Sequence, residues 1–216
     1  MGKINTACLV LGGGEILDYT AVKKMLPDDC FVICADSGYH HCSHLGIQPN
    51  LLVGDFDSIK SALPQDIPVV RLSAEKDYTD TYLAVEEALS RKLDNIILAG
   101  MTGGRSDHTF ANMQIIASLS TNSINSVMTD GITDYYALSA SGQTKSISIP
   151  FKANHYFSVF ALGGTCTCVN IQGGKYPLTD YDLRFDEARA VSNEFLSGPA
   201  VVSLKAGTVL IITTPK

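Results

Sequence analysis

Aspartate is the residue type whose placement in this chain points to chemistry. It recurs just beyond short apolar runs, in Ala35-Asp36-Ser37-Gly38, Gly54-Asp55-Phe56-Asp57-Ser58, Lys76-Asp77-Tyr78-Thr79-Asp80 and Gly103-Gly104-Arg105-Ser106-Asp107-His108. Carboxylates gathered at one place repel each other unless a cation sits between them. The donors are hard oxygens with no accompanying Cys or His set, which favours Mg²⁺ over Zn²⁺. Mg²⁺ bound in this way usually brings substrate phosphates with it. An extended Asp55-Phe56-Asp57 would turn both carboxylates to one side and Phe56 to the other. Each segment alone has a plainer reading. Solvated loop aspartates are common, Asp36-Ser37-Gly38 is also a strand-to-helix turn, and Asp77 and Asp80 are also caps for a helix starting near Thr79.

Glycine and base placement add to the pattern. Gly12-Gly13-Gly14 follows the first apolar run and permits close backbone approach to a phosphate, but it has neither P-loop nor dinucleotide-fingerprint spacing. A tight turn explains it equally well. Gly100 with Gly103-Gly104-Arg105 precedes a helix start, where free amides favour anions and Arg105 adds a planar fork. His108, beside Asp107, is balanced between chemistry and surface. His40 and His41 lie in a helix-like stretch without a partner motif and read as surface or packing residues.

The elements that must position these groups are legible as alternating patterns. Ala7 to Leu11, Phe31 to Ala35, Leu51 to Val53, Val69 to Leu72, Ile96 to Ala99 and Ser126 to Thr129 are strand candidates. Most are continuously apolar, as expected of parallel strands covered on both faces. Helices are expected over Thr79 to Lys92 and Asp107 to Leu119. Such alternation implies a parallel sheet, whose ligands sit beyond the carboxyl ends of its strands. Beyond Gly131 only short strand-like stretches follow: Tyr135 to Ser139, Lys145 to Ile149, Tyr156 to Ala161, Thr165 to Ile171, Ala200 to Leu204 and Val209 to Thr213. Turn signals separate them at Ser141-Gly142, Gly163-Gly164, Gly173-Gly174, Gly198-Pro199 and Ala206-Gly207. An antiparallel β domain is expected there, with the boundary near residue 140.

Composition narrows the function classes. The chain has 216 residues, 45% of them hydrophobic, so it can bury a sizeable core. With 16 Lys+Arg against 22 Asp+Glu the net charge is -6, which disfavours a non-specific nucleic-acid binder. No apolar run approaches the ~20 residues of a membrane span. Gly2 with Thr6 fits a loose myristoylation pattern, but a start followed by a first strand is the simpler reading. The six cysteines form no CxxC pair, and Cys8, Cys30 and Cys34 read as small buried hydrophobes. A reducing cytoplasm is the expected location.

As an ordered set, the four aspartate segments with Gly174-Lys175-Tyr176-Pro177-Leu178 and Ser192-Asn193-Glu194-Phe195 resemble the thiamine pyrophosphokinase (thiamine diphosphokinase) family, in its bacterial branch. The likeness runs over nearly the whole chain. It implies an α/β fold in two parts. Residues 1–140 would be a parallel-sheet α/β domain for nucleotide and Mg²⁺, and residues 141–216 an antiparallel β-sandwich for thiamine. It also implies a homodimer with active sites between subunits, and transfer of the pyrophosphate of ATP to the hydroxyl of thiamine, giving thiamine diphosphate and AMP.

On that reading Asp55, Asp57 and Asp77 hold Mg²⁺, with Asp80 and Asp36 next, and Asp77 accepts the hydroxyl proton. Gly104, Arg105, Asp107 and Asp36 serve ATP. Ser192 and Asn193 would bond the aminopyrimidine and Phe195 would stack on the cationic ligand. Some relatives carry tryptophan where Phe195 stands, and glutamine where Lys76 stands. The rivals are an Asp-x-Asp glycosyltransferase, a phosphatase-like phosphotransferase and a non-catalytic thiamine or nucleotide sensor. Ser192 to Phe195 is unneeded by the first. The second usually carries its acidic pair after the first strand, where this chain has glycines. A sensor has no need of so much gathered negative charge.

Overall fold

The computed structural model describes residues 7–56, 64, 66–73 and 77–216. Asp57, Ser58 and Lys76 therefore lie outside the described residues. The chain divides into two compact units. The first runs to Ile115 and includes Ile124–Ile132, and the second holds Ile116–Ser123 and Thr133–Lys216.

The first unit is built on a parallel sheet. Its strands are β1 (Ala7–Leu11), β2 (Phe31–Ala35), β3 (Leu51–Gly54), β4 (Val69–Arg71), β5 (Asn95–Ala99) and β6 (Asn125–Thr129). They lie in the order β4-β3-β2-β1-β5-β6, every pairing parallel. Each expected strand forms at or within one residue of its expected bounds. β1 is buried along its whole length, as continuous apolar sequence demands of a central strand. The order reverses between β1 and β5, so the fold's natural ligand crevice lies beyond the ends of those strands.

The helices of this unit are α1 (Tyr19–Lys24), α2 (His41–Leu45), α3 (Asp80–Ser90) and the part of α4 (Ser106–Thr121) up to Ile115, with a 3₁₀ turn over Asp36–His40. Asp18 caps α1 by accepting from the Ala21 amide at 3.0 Å. Gly46 ends α2 in the left-handed conformation, φ 62°. Thr79 caps α3, accepting from the Tyr82 amide at 3.2 Å, so neither Asp77 nor Asp80 is the cap. Leu9, Leu11, Val32, Leu52 and Ile97 pack with Val22 and Leu45 to form the core beneath. Cys8, Cys34 and Cys42 are buried and Cys30 is half-buried, all as free thiols.

The second unit is antiparallel. Its strands are β7 (Asp134–Ile149), β8 (His155–Gln172), β9 (Leu178–Leu183), β10 (Asn193–Glu194) and β11 (Ala200–Pro215). β11 pairs with both β7 and β8, and β8 also carries β9 and β10. The six short strands expected from the sequence are the halves of β7, β8 and β11. The glycines at 142, 163 and 207 do not end strands. They sit inside them at φ 96°, 73° and 105°, and the β11 register shifts around Ala206. A side chain at Gly207 would place its Cβ 2.8 Å from Cys166 Sγ, so this bend is fixed by packing. Gly173-Gly174 and Gly198-Pro199 do lie between strands. Phe157, Val169, Ile171, Val202, Leu204 and Ile211 form this unit's core. No helix among the described residues is long and apolar enough to cross a membrane.

Candidate active site

A cleft of about 480 Å³ opens in the first unit. Its walls come from the segments after β1, β2 and β5 and from the first turns of α3 and α4. This is the crevice that the strand order specifies. The Gly12–Gly14 loop is held against the segment after β5. Gly12 N–H donates to Ala99 O at 2.9 Å, Gly14 N–H to Gly100 O at 2.7 Å and Glu15 N–H to Thr102 O at 2.7 Å. A Cβ at Gly14 would lie 2.4 Å from Thr102 O, and one at Gly38 would lie 2.1 Å from Leu11 O. Both contacts are with backbone, so only glycine lets these turns close on their neighbours.

Asp36 lines the cleft in the left-handed region, φ 46°, which aspartate tolerates better than most residues. Asp80 lines it from the first turn of α3, where a negative charge also meets the positive end of the helix. Gly104 and Arg105 line it at the start of α4. Asp107 is not in the wall but orients the arginine. Arg105 Nε and Nη2 donate to its two carboxylate oxygens at 3.2 and 2.6 Å. The guanidinium holds the Asp107 carboxyl at a pKa of about 2, well below the usual carboxylate range. The pair therefore stays ionised at any physiological pH.

Other expected residues stand apart from this wall. Asp55 is half-buried just after β3, and Asp77 is exposed before α3. Neither lines the cleft. Among the described residues no group of three or more His, Cys, Asp or Glu is close enough to hold a metal. The extended backbone expected from sequence does not form at Phe56, and Asp57 lies outside the described residues. Phe56 is left-handed, φ 60°, with its ring buried in the core and Arg71 over it at 5.8 Å. Burial of a large ring at the strand end overrides the extended geometry.

The cleft also includes residues that sequence reasoning passed over. Glu15, Thr81 and Asn112 line it, beside Thr79 and His108, which the sequence had already named. Asn112 is buried, and its amide donates to Met101 O at 2.8 Å, which fixes the segment after β5 from below. Glu15 had a signal, its place directly after the glycine run. Asn112 had none, because it sits within an ordinary helical stretch.

In the second unit the two motifs of the sequence resemblance are bonded to each other. Gly174 pairs with Phe195, Lys175 N–H donates to Glu194 O at 2.9 Å, and Leu196 N–H donates to Gly173 O at 3.1 Å. Asn193 is buried, and its side chain is spent on backbone. Its Oδ1 accepts from the Tyr176 and Glu194 amides at 2.9 and 3.0 Å, and its Nδ2 donates to Tyr176 O at 2.7 Å. Ser192 is exposed at φ 56°, its amide donating to Ser158 Oγ at 3.0 Å. Glu194 accepts from Lys175 at 2.7 Å and from Lys216, and these cations hold its carboxyl at about 2. Phe195 is half-buried. Its ring lies 4.8 Å from that of Phe157 and 5.9 Å from that of Phe151.

Residues 22–128 match the thiamin pyrophosphokinase catalytic domain, and residues 144–209 match the thiamin pyrophosphokinase vitamin B1 binding domain. This chain belongs to the thiamin pyrophosphokinase family. It is 28% identical over 185 residues to the thiamine pyrophosphokinase of Bacillus subtilis, covering 83% of this chain and 85% of that one. It is 24% identical over 172 residues to thiamin pyrophosphokinase 1 of Caenorhabditis elegans, covering 76% and 69%. In fold it is similar to the crystal structure of the Bacillus subtilis thiamine pyrophosphokinase. The TM-score is 0.84 at 23% identity, covering 98% of this chain and 100% of that one. It is similar also to the thiamin pyrophosphokinase of Geobacillus thermodenitrificans. There the TM-score is 0.81 at 25% identity, covering 98% of each chain. The catalytic match spans every cleft wall except Gly13, Gly14 and Glu15, and the B1-binding match spans both second-unit motifs. The resemblance noted in the sequence is thus that of a thiamin pyrophosphokinase throughout.

Proposed function

We infer that this chain is an ATP-dependent thiamine pyrophosphokinase. The observation that carries the reading is the ordered match of a catalytic and a vitamin B1 binding domain along one chain. The glycosyltransferase, phosphatase and sensor readings draw no support from these matches. In the reaction the thiamine hydroxyl oxygen bonds to the β-phosphorus of ATP. The bond from that phosphorus to the α-phosphate oxygen breaks and AMP leaves. The hydroxyl proton passes to a carboxylate.

The residues divide this work as follows. The cleft wall offers oxygen donors from Glu15, Asp36, Ser37, Thr79, Asp80 and Thr81, with the His108 imidazole beside them and no thiol, a mainly oxygen set that suits a hard cation such as Mg²⁺. Asp55, Asp57 and Asp77 would hold it, with Asp36 and Asp80 as further oxygen donors. When bound, the ion supplies charge compensation at the phosphate oxygens. Arg105, held flat by Asp107, grips a phosphate, and the first amides of α4 after Gly104 receive another anionic oxygen. Asp77, exposed and free to approach a second substrate, accepts the hydroxyl proton. Ser192 bonds the aminopyrimidine, while Asn193 shapes the segment that carries it. The second unit packs as a β-sandwich, and the enzyme works in the cytoplasm as a homodimer with its sites between subunits.

Incubating the purified protein with ATP, Mg²⁺ and thiamine should yield AMP and thiamine diphosphate in equal amounts. ADP in place of AMP, or AMP release that ignores thiamine, overturns the reading. Phe195→Leu tests the thiamine side. Phe195 already packs on Phe157, so the swap costs some stability, under about 1.5 kcal/mol for a near-isosteric change. If the exposed part of the ring stacks on cationic thiamine, the KM for thiamine rises about two- to thirtyfold. The KM for ATP stays put. A lowered melting temperature with an unchanged thiamine KM removes Phe195 from the site.

A further inference from the structure

His41, which the sequence offered as a surface or packing residue, joins the catalytic cleft to the layer behind it. Its Nε2 lies 2.9 Å from Gly14 O and its Nδ1 lies 2.8 Å from the Tyr19 hydroxyl. A carbonyl oxygen only accepts, so Nε2 carries the proton and donates. In the neutral ring Nδ1 then accepts from Tyr19, which selects the tautomer that Gly14 needs. The ring is half-buried, and burial pushes its pKa below the ordinary histidine value, which favours this neutral form. The same nitrogen would lie 3.0 Å from a Cβ at Gly100, so glycine there leaves room for the ring.

We propose that His41 is a positioning residue for the nucleotide, fixing the glycine loop that walls the ATP cleft. The amides of Gly12, Gly14 and Glu15 tie this loop to the end of β5 and the segment after it. Those bonds hold one edge of the loop and leave its carbonyl edge to other partners. His41 takes the carbonyl of Gly14, and Gly13 and Gly14 are both residues of the cleft wall. The imidazole is not itself in the wall, so it acts through the loop rather than on the substrate. Tyr19 acts one step further back, through the tautomer. Both partners are distant in sequence, 27 and 22 residues from His41, so no local motif marks the device.

The inference rests on reading the cleft as the ATP site, and its test separates the two claims. The full-length protein and its His41→Leu, His41→Gln and Tyr19→Phe variants are compared. One readout is steady-state kinetics with ATP and thiamine varied in turn. The other is hydrogen exchange of the amides in residues 12–15 without nucleotide, which needs no catalysis. His41→Leu should raise the KM for ATP about tenfold, the scale of one lost hydrogen bond. It should leave the KM for thiamine within about twofold and quicken exchange in the loop. His41→Gln, whose amide nitrogen can reach the same carbonyl, should restore most of both. Tyr19→Phe should fall between wild type and His41→Leu. If His41→Leu does not fold, Tyr19→Phe set against His41→Gln carries the same comparison. Loop exchange equal to wild type in the variants lacking the bond overturns the positioning role, whatever the activity. Quickened exchange with an unmoved ATP KM overturns the link to the nucleotide. A wild-type protein that makes no AMP from ATP and thiamine instead overturns the functional reading, and leaves the exchange result to decide the loop.

Discussion

Asp55→Asn is expected to lose at least about a hundredfold in turnover, equivalent to roughly 2.7 kcal/mol of barrier, while the protein stays folded. Asparagine keeps the size and one oxygen acceptor of Asp55, removes its charge and turns the second acceptor into an NH₂ donor. In phosphoryl transfer the protein contributes chiefly positioning and charge stabilisation, so a missing charge is felt in the rate. The folded state should respond in the opposite sense. Asp36 and Asp55 follow β2 and β3, Asp77 precedes α3 and Asp80 begins it, so removing one negative charge at Asp55 adds no repulsion to the protein without cation. The expected signature is therefore collapsed kcat with a melting temperature at or slightly above that of the parent. Asp77→Asn should behave in the same way, with no repair at saturating Mg²⁺. Near-normal turnover of Asp55→Asn at saturating Mg²⁺ would sink the proposed metal role of Asp55. A loss of activity that tracks a loss of folded protein would make Asp55 a structural residue.

How much of this was legible in the sequence depends on whether a residue's partners are local. β2 reads directly from Phe31 to Ala35, because a strand covered on both faces is a bare apolar run bounded by polar turns. α3 reads from its apolar spacing, although its cap is Thr79 and not the Asp77 or Asp80 that the sequence offered. The second half fails in an informative way. A glycine that closes a hairpin and a glycine that bends a continuing strand look the same in one chain, and only the pairing partner separates them. Gly207 bends β11 because Cys166 occupies the space a side chain would need. Phe56 fails for a related reason. Its neighbours Asp55 and Asp57 suggest alternation, while its ring is drawn into the core. Arg105 was legible as a cleft residue because its place before a helix start is local. His41 was not, since the two groups that give it a role come from the loop after β1 and from α1.

Asn193 shows most clearly how the structure changes the reading of a residue that sequence had already singled out. As a polar side chain in Ser192-Asn193-Glu194-Phe195 it suggests a hydrogen-bonding partner for substrate. In the fold its amide bonds the Tyr176 amide, the Tyr176 carbonyl and the Glu194 amide, and the side chain is 2% exposed. Asn193→Ala removes these bonds and leaves backbone groups without partners. At about 1 kcal/mol for each bond, and more where a group is left buried, the expected loss is roughly 3 kcal/mol. For a chain of this size that is a fall in melting temperature of about 6–12 °C. Asn193→Asp separates the contributions. It retains an acceptor for both amides but turns the donor that met the Tyr176 carbonyl into a second acceptor, and sets a buried charge against that carbonyl. It should therefore be no milder than alanine at neutral pH, and should recover stability as the pH falls and the carboxyl takes up a proton that it can donate. A clamp of this kind raises the thiamine KM only as far as the segment from Gly173 to Tyr176 loosens. Near-parental stability of Asn193→Ala with a large rise in thiamine KM would show instead that the amide turns outward to the substrate. Loss of stability with the acid recovery of Asn193→Asp fixes Asn193 as the residue that holds Gly174-Lys175-Tyr176 against β10.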